Sequence, residues 1–222
     1  ELVGHDAAGA FYGAMTLRQL ARQYGATRGL PCVQIDDRPD FPHRGVMLDI
    51  SRDRVPTMDA LYLLVDLLSE WKVNELQLYT EHTYAYRDHT EVWADASPMT
   101  GEQIMQLDAY CRQRFVELVP NQNSFGHMER WLIKPGYRDL AEHPESPIPR
   151  ALNPIDPRSI ELIAGMFDEL LPHFSSGRFN VGCDEVPLGD GRSRAAAAKH
   201  GVGRVYLDFL LKVHKLVQGH GR

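Results

Sequence analysis

The chain has 222 residues, 43% of them hydrophobic and 24% charged, with a formal net charge of −6. That is the composition of a globular protein with a sizeable core, and its acidic balance, without any dense lysine or arginine run, excludes nucleic acid and anionic membrane as expected partners. Three scattered cysteines (Cys32, Cys111, Cys183) make neither a disulfide framework nor a paired-cysteine metal site, and no apolar run approaches the roughly 18 residues of a membrane span.

In chain order, residues 9–24 place Phe11, Met15, Leu17, Leu20 and Ala21 near one face at helical spacing, with Gly25 as a stop. "PCVQI", residues 31–35, reads as a short strand, and "DDRPDFP" as a turn-rich linker that sets a domain boundary near residue 40. Beyond it strands and helices alternate. "RGVMLDISR" (44–52) is a strand, followed by a helix over 57–73 that Thr57 can cap. "NELQLYT" (74–80) is a strand, followed by a helix over 100–114 with a capping box of Thr100 and Gln103. "FVELVPN" (115–121) is a strand, then come a helix at "MERWLIK" and a longer one entered through Pro157. "RFNVGCDEV" (178–186) is a fourth strand and residues 203–217 a last helix.

Strands that read as continuous apolar runs between helices mean a parallel sheet covered by helices. The choice is between a (β/α)8 barrel and an open doubly wound sheet: no GxGxxG or GxxxxGK[ST] follows the first strand, which weakens a nucleotide-binding open sheet, while a barrel would need about eight strands and four are visible after residue 40. If it is a barrel, residues 41–222 hold its N-terminal half, about the first four β/α units, and residues 1–40 lie before the boundary. The start "ELVGHDAAGA" lacks a methionine and a signal-peptide pattern, so the chain is expected to be a piece of a longer one. Cytoplasmic and exported locations both stay open, and four strands alone would form an incomplete barrel with exposed edges.

In such a barrel the C-terminal strand ends open onto the reactive face. Here they carry "DISRDR", "TEHTYAY", "NQNSFGH" and "CDEV". Each has an ordinary reading: a rim ion pair for Asp49 and Arg52, a solvated loop for Glu81, His82, Tyr84 and Tyr86, a helix cap for His127. A metal held by His82, His127, Asp184 and Glu185 is an alternative, but no His-x-His or HExxH element supports it, and neither a metal nor any other cofactor is expected. The acidic pair Asp184–Glu185 is the least ordinary feature, because two carboxylates leaving an apolar run are costly to desolvate without a task.

Glycosidases that supply their own nucleophile use two carboxyls on opposite sides of the scissile bond. Adjacent residues share a pocket only where a strand gives way to a loop, and then on one side of the ligand. Adjacency suits a route in which the substrate's own 2-acetamido oxygen attacks the anomeric carbon, one carboxylate holding the acetamide N–H and the other protonating the leaving oxygen.

The runs "RGVMLDISR", "VNELQLY", "ELVPNQNSFGH" and above all "FNVGCDEV" resemble the catalytic barrel of the β-N-acetylhexosaminidases of glycoside hydrolase family 20. "GAFYGAMTLRQL" and "IDDRPDFPHRG" resemble the end of the small domain before it. The resemblance implies a retaining hydrolase that releases terminal GlcNAc or GalNAc from a carbohydrate or glycoconjugate. It implies Glu185 as acid/base, Asp184 as acetamide orienter, and Arg44, His127, Glu81 or His82, and Asn123 as substrate-binding residues. Asn121, Asn123 and Asn180 stand where the family often has other residues, which motivates a catalytically impaired, carbohydrate-binding relative as the alternative, beside a metal-dependent barrel hydrolase. The aromatic wall of the acetamide pocket is expected from later strands.

Overall fold

The computed structural model describes residues 1–25, 29–52 and 54–222. Three parallel strands, β1 (Gly45–Asp49), β2 (Glu75–Thr80) and β3 (Glu117–Gln122), lie in the order β1-β2-β3. Helix α1 (Ala7–Tyr24) precedes them, α2 (Met58–Glu70) joins β1 to β2, and the short α3 (Thr90–Trp93) and α4 (Gly101–Arg112) join β2 to β3. After β3 come α5 (Glu129–Leu132), α6 (Pro157–Leu170), α7 (Arg194–His200) and α8 (Val202–Gly219). The helix starts follow the expected signals: Thr57 accepts from Ala60 N–H, Thr100 and Gln103 form a capping box, and Asp156 caps α6 ahead of Pro157.

Register gives the sheet two unlike faces. Leu76, Leu78 and Leu118 point to the helices and are buried. They meet helix residues repeating at three and four: Leu61, Val65 and Leu68 of α2, Ile104, Leu107 and Cys111 of α4, Phe209, Val213 and Val217 of α8. On the other face, the paired positions Met47–Gln77–Val119 and Asp49–Tyr79–Asn121 form successive layers that mix polar and apolar side chains, with Val119, Tyr79 and Asn121 buried and Met47 exposed. At its N-terminal end Arg178 donates to Glu75 (2.7 Å) and pairs with Glu117.

Two expected strands are corrected. Residues 31–35 form no strand and pair with no strand among the described residues, and Val33 and Ile35 are 56% and 52% exposed. The fourth strand shrinks to a single parallel bridge, Asn121 to Asn180. Asn180 N–H donates to Pro120 O (3.0 Å) and Gln122 N–H to Asn180 O (3.1 Å), but Gly182 takes φ +51 and the ladder ends. Residues 178–186 thus run beside β3 as a fourth extended segment that turns early. Asp53, within the run after β1, lies outside the described residues.

Candidate active site

The C-terminal ends of β1, β2 and β3 and the segment after Asn180 converge. Beyond β1, Asp49 Oδ1 accepts from the Ser51 and Arg52 amides (2.8 and 3.2 Å), a local turn that brings the Arg52 guanidinium back to Asp49 Oδ2 at 2.7 Å. Arg52 Nη2 also donates to the Tyr79 hydroxyl (3.1 Å) and lies 3.4 Å from Glu81 Oε1, and Tyr79 donates to the same oxygen at 2.8 Å. Burial pushes the Glu81 carboxyl above its ordinary range, an effect that the Tyr79 hydrogen bond and the Arg52 charge only partly offset. Ser51 Oγ accepts from Glu81 N–H and Trp131 Nε1 donates to Glu81 O, both at 2.8 Å, so the backbone of this loop is pinned from two sides.

His127 links this cluster to the acidic pair. Its Nδ1 is 3.9 Å from Glu81 Oε1, and its Nε2 is 3.8 Å from Asp184 Oδ2 and 3.5 Å from Glu185 Oε2. The imidazole is mostly buried, whereas the Asp184 and Glu185 side chains are 63% and 78% exposed. Both carboxylates reach one histidine because the chain has left the extended conformation: Glu185 sits at φ +48 and His127 at φ +54. Left-handed backbone at a non-glycine residue costs on the order of 1–3 kcal/mol and persists only where the surroundings hold it.

Those surroundings are identifiable. Ser124 Oγ donates to Val181 O and Tyr206, from α8, to Cys183 O, both at 2.7 Å, clamping the residues before the pair. A Cβ on Gly126 would lie 2.4 Å from Asp184 O, so only glycine lets the turn before His127 approach the acidic segment this closely. Downstream, the fully buried Glu142 accepts from the Ser193 hydroxyl (2.5 Å) and from the Ser193 and Gly189 amides, tying down the loop that follows. Among the described residues, Glu142, His143 and Asp190 form a group with metal-ligand spacing, but the Glu142 carboxylate is already occupied by these donors. A cavity of about 530 Å³ opens between Arg52, His127, Arg150 and Glu185.

Four of the expected site residues, Asp184, Glu185, His127 and Glu81, therefore come together. Three do not join them. Arg44 lies at the N-terminal end of β1, about 16 Å of strand from the cluster. Its guanidinium donates to the carbonyls of Lys72 (2.7 Å), Phe41 (2.7 Å) and Pro42 (3.2 Å). His82, next to Glu81 at the strand end, points to the other side and lines a separate cavity. Asn123 is fully buried, its amide donating to Thr80 O (3.2 Å) and its side-chain oxygen packed where a Gly182 Cβ would stand. Conversely Arg52, read from sequence as a rim ion pair with Asp49, does form that pair and also stands inside the cluster. Strand direction was the signal: both arginines flank one strand, and only Arg52 follows it.

Comparison with known proteins gives the family. The family described as "Glycosyl hydrolase family 20, catalytic domain" matches residues 41–203, and "Glycosyl hydrolase family 20, domain 2" matches residues 1–38. A β-hexosaminidase of Akkermansia muciniphila is 28% identical over 207 residues, covering 81% of this chain and 41% of that protein. One of Porphyromonas gingivalis is 25% identical over 259 residues, covering 100% and 33%. A solved β-N-acetylhexosaminidase superposes with a TM-score of 0.85 at 25% identity, covering 96% of this chain and 52% of the other. The chain thus spans about half or less of the length of these relatives. With the catalytic-domain match covering most of its length, the chain belongs to glycosyl hydrolase family 20.

Proposed function

We propose that residues 41–222 supply about the first four units of a (β/α)8 barrel, that residues 1–40 end a small α/β domain before it, and that the complete protein releases terminal N-acetyl-β-D-hexosamine by retaining, substrate-assisted hydrolysis. The observation that carries this reading is the adjacent, solvent-open pair Asp184–Glu185, turned by a left-handed residue so that both carboxylates face His127. In the first step the acetamide oxygen of the bound sugar bonds to the anomeric carbon as the bond from that carbon to the leaving oxygen breaks. Glu185 gives that oxygen a proton, and Asp184 accepts a hydrogen bond from the acetamide N–H. In the second step Glu185 takes a proton from a water that bonds to the anomeric carbon from the face the leaving group left, as the bond from that carbon to the acetamide oxygen breaks and the acetamide is regenerated, which restores the original configuration.

In this reading the grip on the sugar hydroxyls falls to Arg52 and Glu81 in place of Arg44, because they are joined to each other and to His127 at the open end of the sheet. No metal enters these steps. The remaining wall of the pocket is expected from further chain.

The test uses the full-length protein with aryl N-acetyl-β-D-glucosaminide and galactosaminide. Glu185→Gln and Asp184→Asn should each lower kcat/KM by about 10²–10⁴-fold, proton NMR should show the β-anomer formed first, and the matching glycoside without an acetamide should not be cleaved. Unchanged rates in both variants would sink the assignment. Sugar binding by calorimetry with no turnover over long incubation would favour the impaired, binding-only relative, and loss of activity with a chelator the metal-dependent hydrolase.

A further inference from the structure

A second cavity, of about 380 Å³, shares Arg52 with the one at Glu185 but is otherwise built from different loops. Its charged lining is one-sided: Arg52, Arg54, Arg130 and Lys134 against Asp95. Arg52 is committed to Asp49 and Glu81, whereas Arg54, Arg130 and Lys134 form no ion pair among the described residues. In a chain whose formal charge is −6, such a gathering of cations is not a consequence of composition.

His82 lines the same cavity. It is 6% exposed, and its Nδ1 is buried without a hydrogen-bond partner. A buried, unpartnered ring nitrogen carries a desolvation cost that native structures rarely leave unanswered. Burial, then the charges of Arg130 and Lys134, hold its pKa down to about 4. Three cations without an ion pair, with Arg52 at the edge and an unsatisfied imidazole, around one half-open cavity are what recognition of a multi-oxygen anion requires, since each oxygen can accept charge-assisted hydrogen bonds.

We propose that this cavity is a subsite for an oxyanion, a sulfate or phosphate ester or a carboxylate, borne by the glycan. The attachment to the glycan rests on the function proposed above. It follows from Arg52, which belongs to both cavities and places an anion bound here one guanidinium away from the sugar site.

The experiment takes the full-length protein and has two arms. In the first, sodium sulfate is titrated at constant ionic strength by calorimetry, with the imidazole resonance of His82 followed by NMR. Saturable binding, a shift of that resonance, and at least about tenfold weaker binding in the Arg130→Glu/Lys134→Glu double variant are expected. In the second, kcat/KM is compared between aryl N-acetylglucosaminides bearing a sulfate at the 3-, 4- or 6-hydroxyl and the unsulfated compound. At least one sulfated-to-unsulfated ratio should fall about tenfold in the double variant. Lys134→Gln gives a milder version of both effects if charge reversal disturbs folding. Absence of saturable sulfate binding would overturn the proposal. Binding with every kinetic ratio unchanged would make this a free-anion site and overturn its assignment to the glycan. Sulfate binding in a protein that hydrolyses none of the substrates would support the pocket and count against the hydrolase reading instead.

Discussion

Single residues divide here into those that hold the site and those that face it. Arg52 presents a planar fork to Asp49, Tyr79 and Glu81, a geometry that lysine cannot reproduce. Arg52→Lys should raise KM about tenfold or more, while Arg44→Lys should leave kinetics alone and lower stability by about 1–3 kcal/mol through lost bonds to three carbonyls. Steady-state kinetics beside denaturant titration separates the two, and equal KM effects would return the role to Arg44. Gly126→Ala pushes a Cβ into the carbonyl of Asp184, so it should cost about 1–3 kcal/mol and lower kcat, seen in thermal melts and turnover. His82 sets a pH dependence. Its folded pKa of about 4 lies below the ordinary 6.5, so the fold holds the neutral ring. The stability this represents is present above pH 6.5 and lost as pH falls through 4, reaching about 3 kcal/mol. In sulfate-free buffer the melting temperature should drop over that window, and His82→Gln should flatten the drop; parallel profiles would contradict it.

Among the elements, helices were legible because their apolar positions repeat at three and four and their caps are local, as at Thr57, Thr100 and Asp156. The central strands were legible between their helices, although β2 (ELQLYT) and β3 (ELVPNQ) mix polar with apolar residues where continuous apolar runs were expected. The segment 178–186 was only half legible, since a single left-handed glycine at 182 ends a ladder that the hydrophobic pattern would continue. What keeps this segment beside β3 at its start is Arg178, bound to the 8%-exposed Glu75 and to Glu117. Burial of Glu117 works against its charge, but Arg178 and Ser176 outweigh it and leave its pKa lowered. A lowered carboxylate stabilises above its ordinary pKa and loses that contribution as pH falls. Arg178→Ala should therefore cost about 1–2 kcal/mol near pH 7, discounted for the partly exposed arginine, with the difference from wild type shrinking in acid. A loss that does not change between pH 7 and pH 3 would locate the effect elsewhere.

For the molecule as a whole, β1 has one neighbour among the described residues, with Met47 59% and Val46 38% exposed. An unpaired strand edge beside exposed apolar side chains invites association. The 222-residue chain expressed by itself should scatter light or bind a hydrophobic dye, and a monodisperse, hydrolytically active preparation would refute this.

Sequence alone determined the alternation of strands and helices, the caps and the parallel sheet, and it singled out the adjacent acids Asp184 and Glu185 on which the proposed function rests, because periodicity, capping and the adjacency of two acids are local properties. Tertiary structure decided which arginine stands at the open end of β1, that Glu81 joins His127 while its neighbour His82 turns into a second cavity, and that Asn123 lies beneath the site. Those choices depend on strand direction, on side-chain alternation at a strand's last residue and on how closely two backbones approach at Gly126, none of which a linear motif encodes.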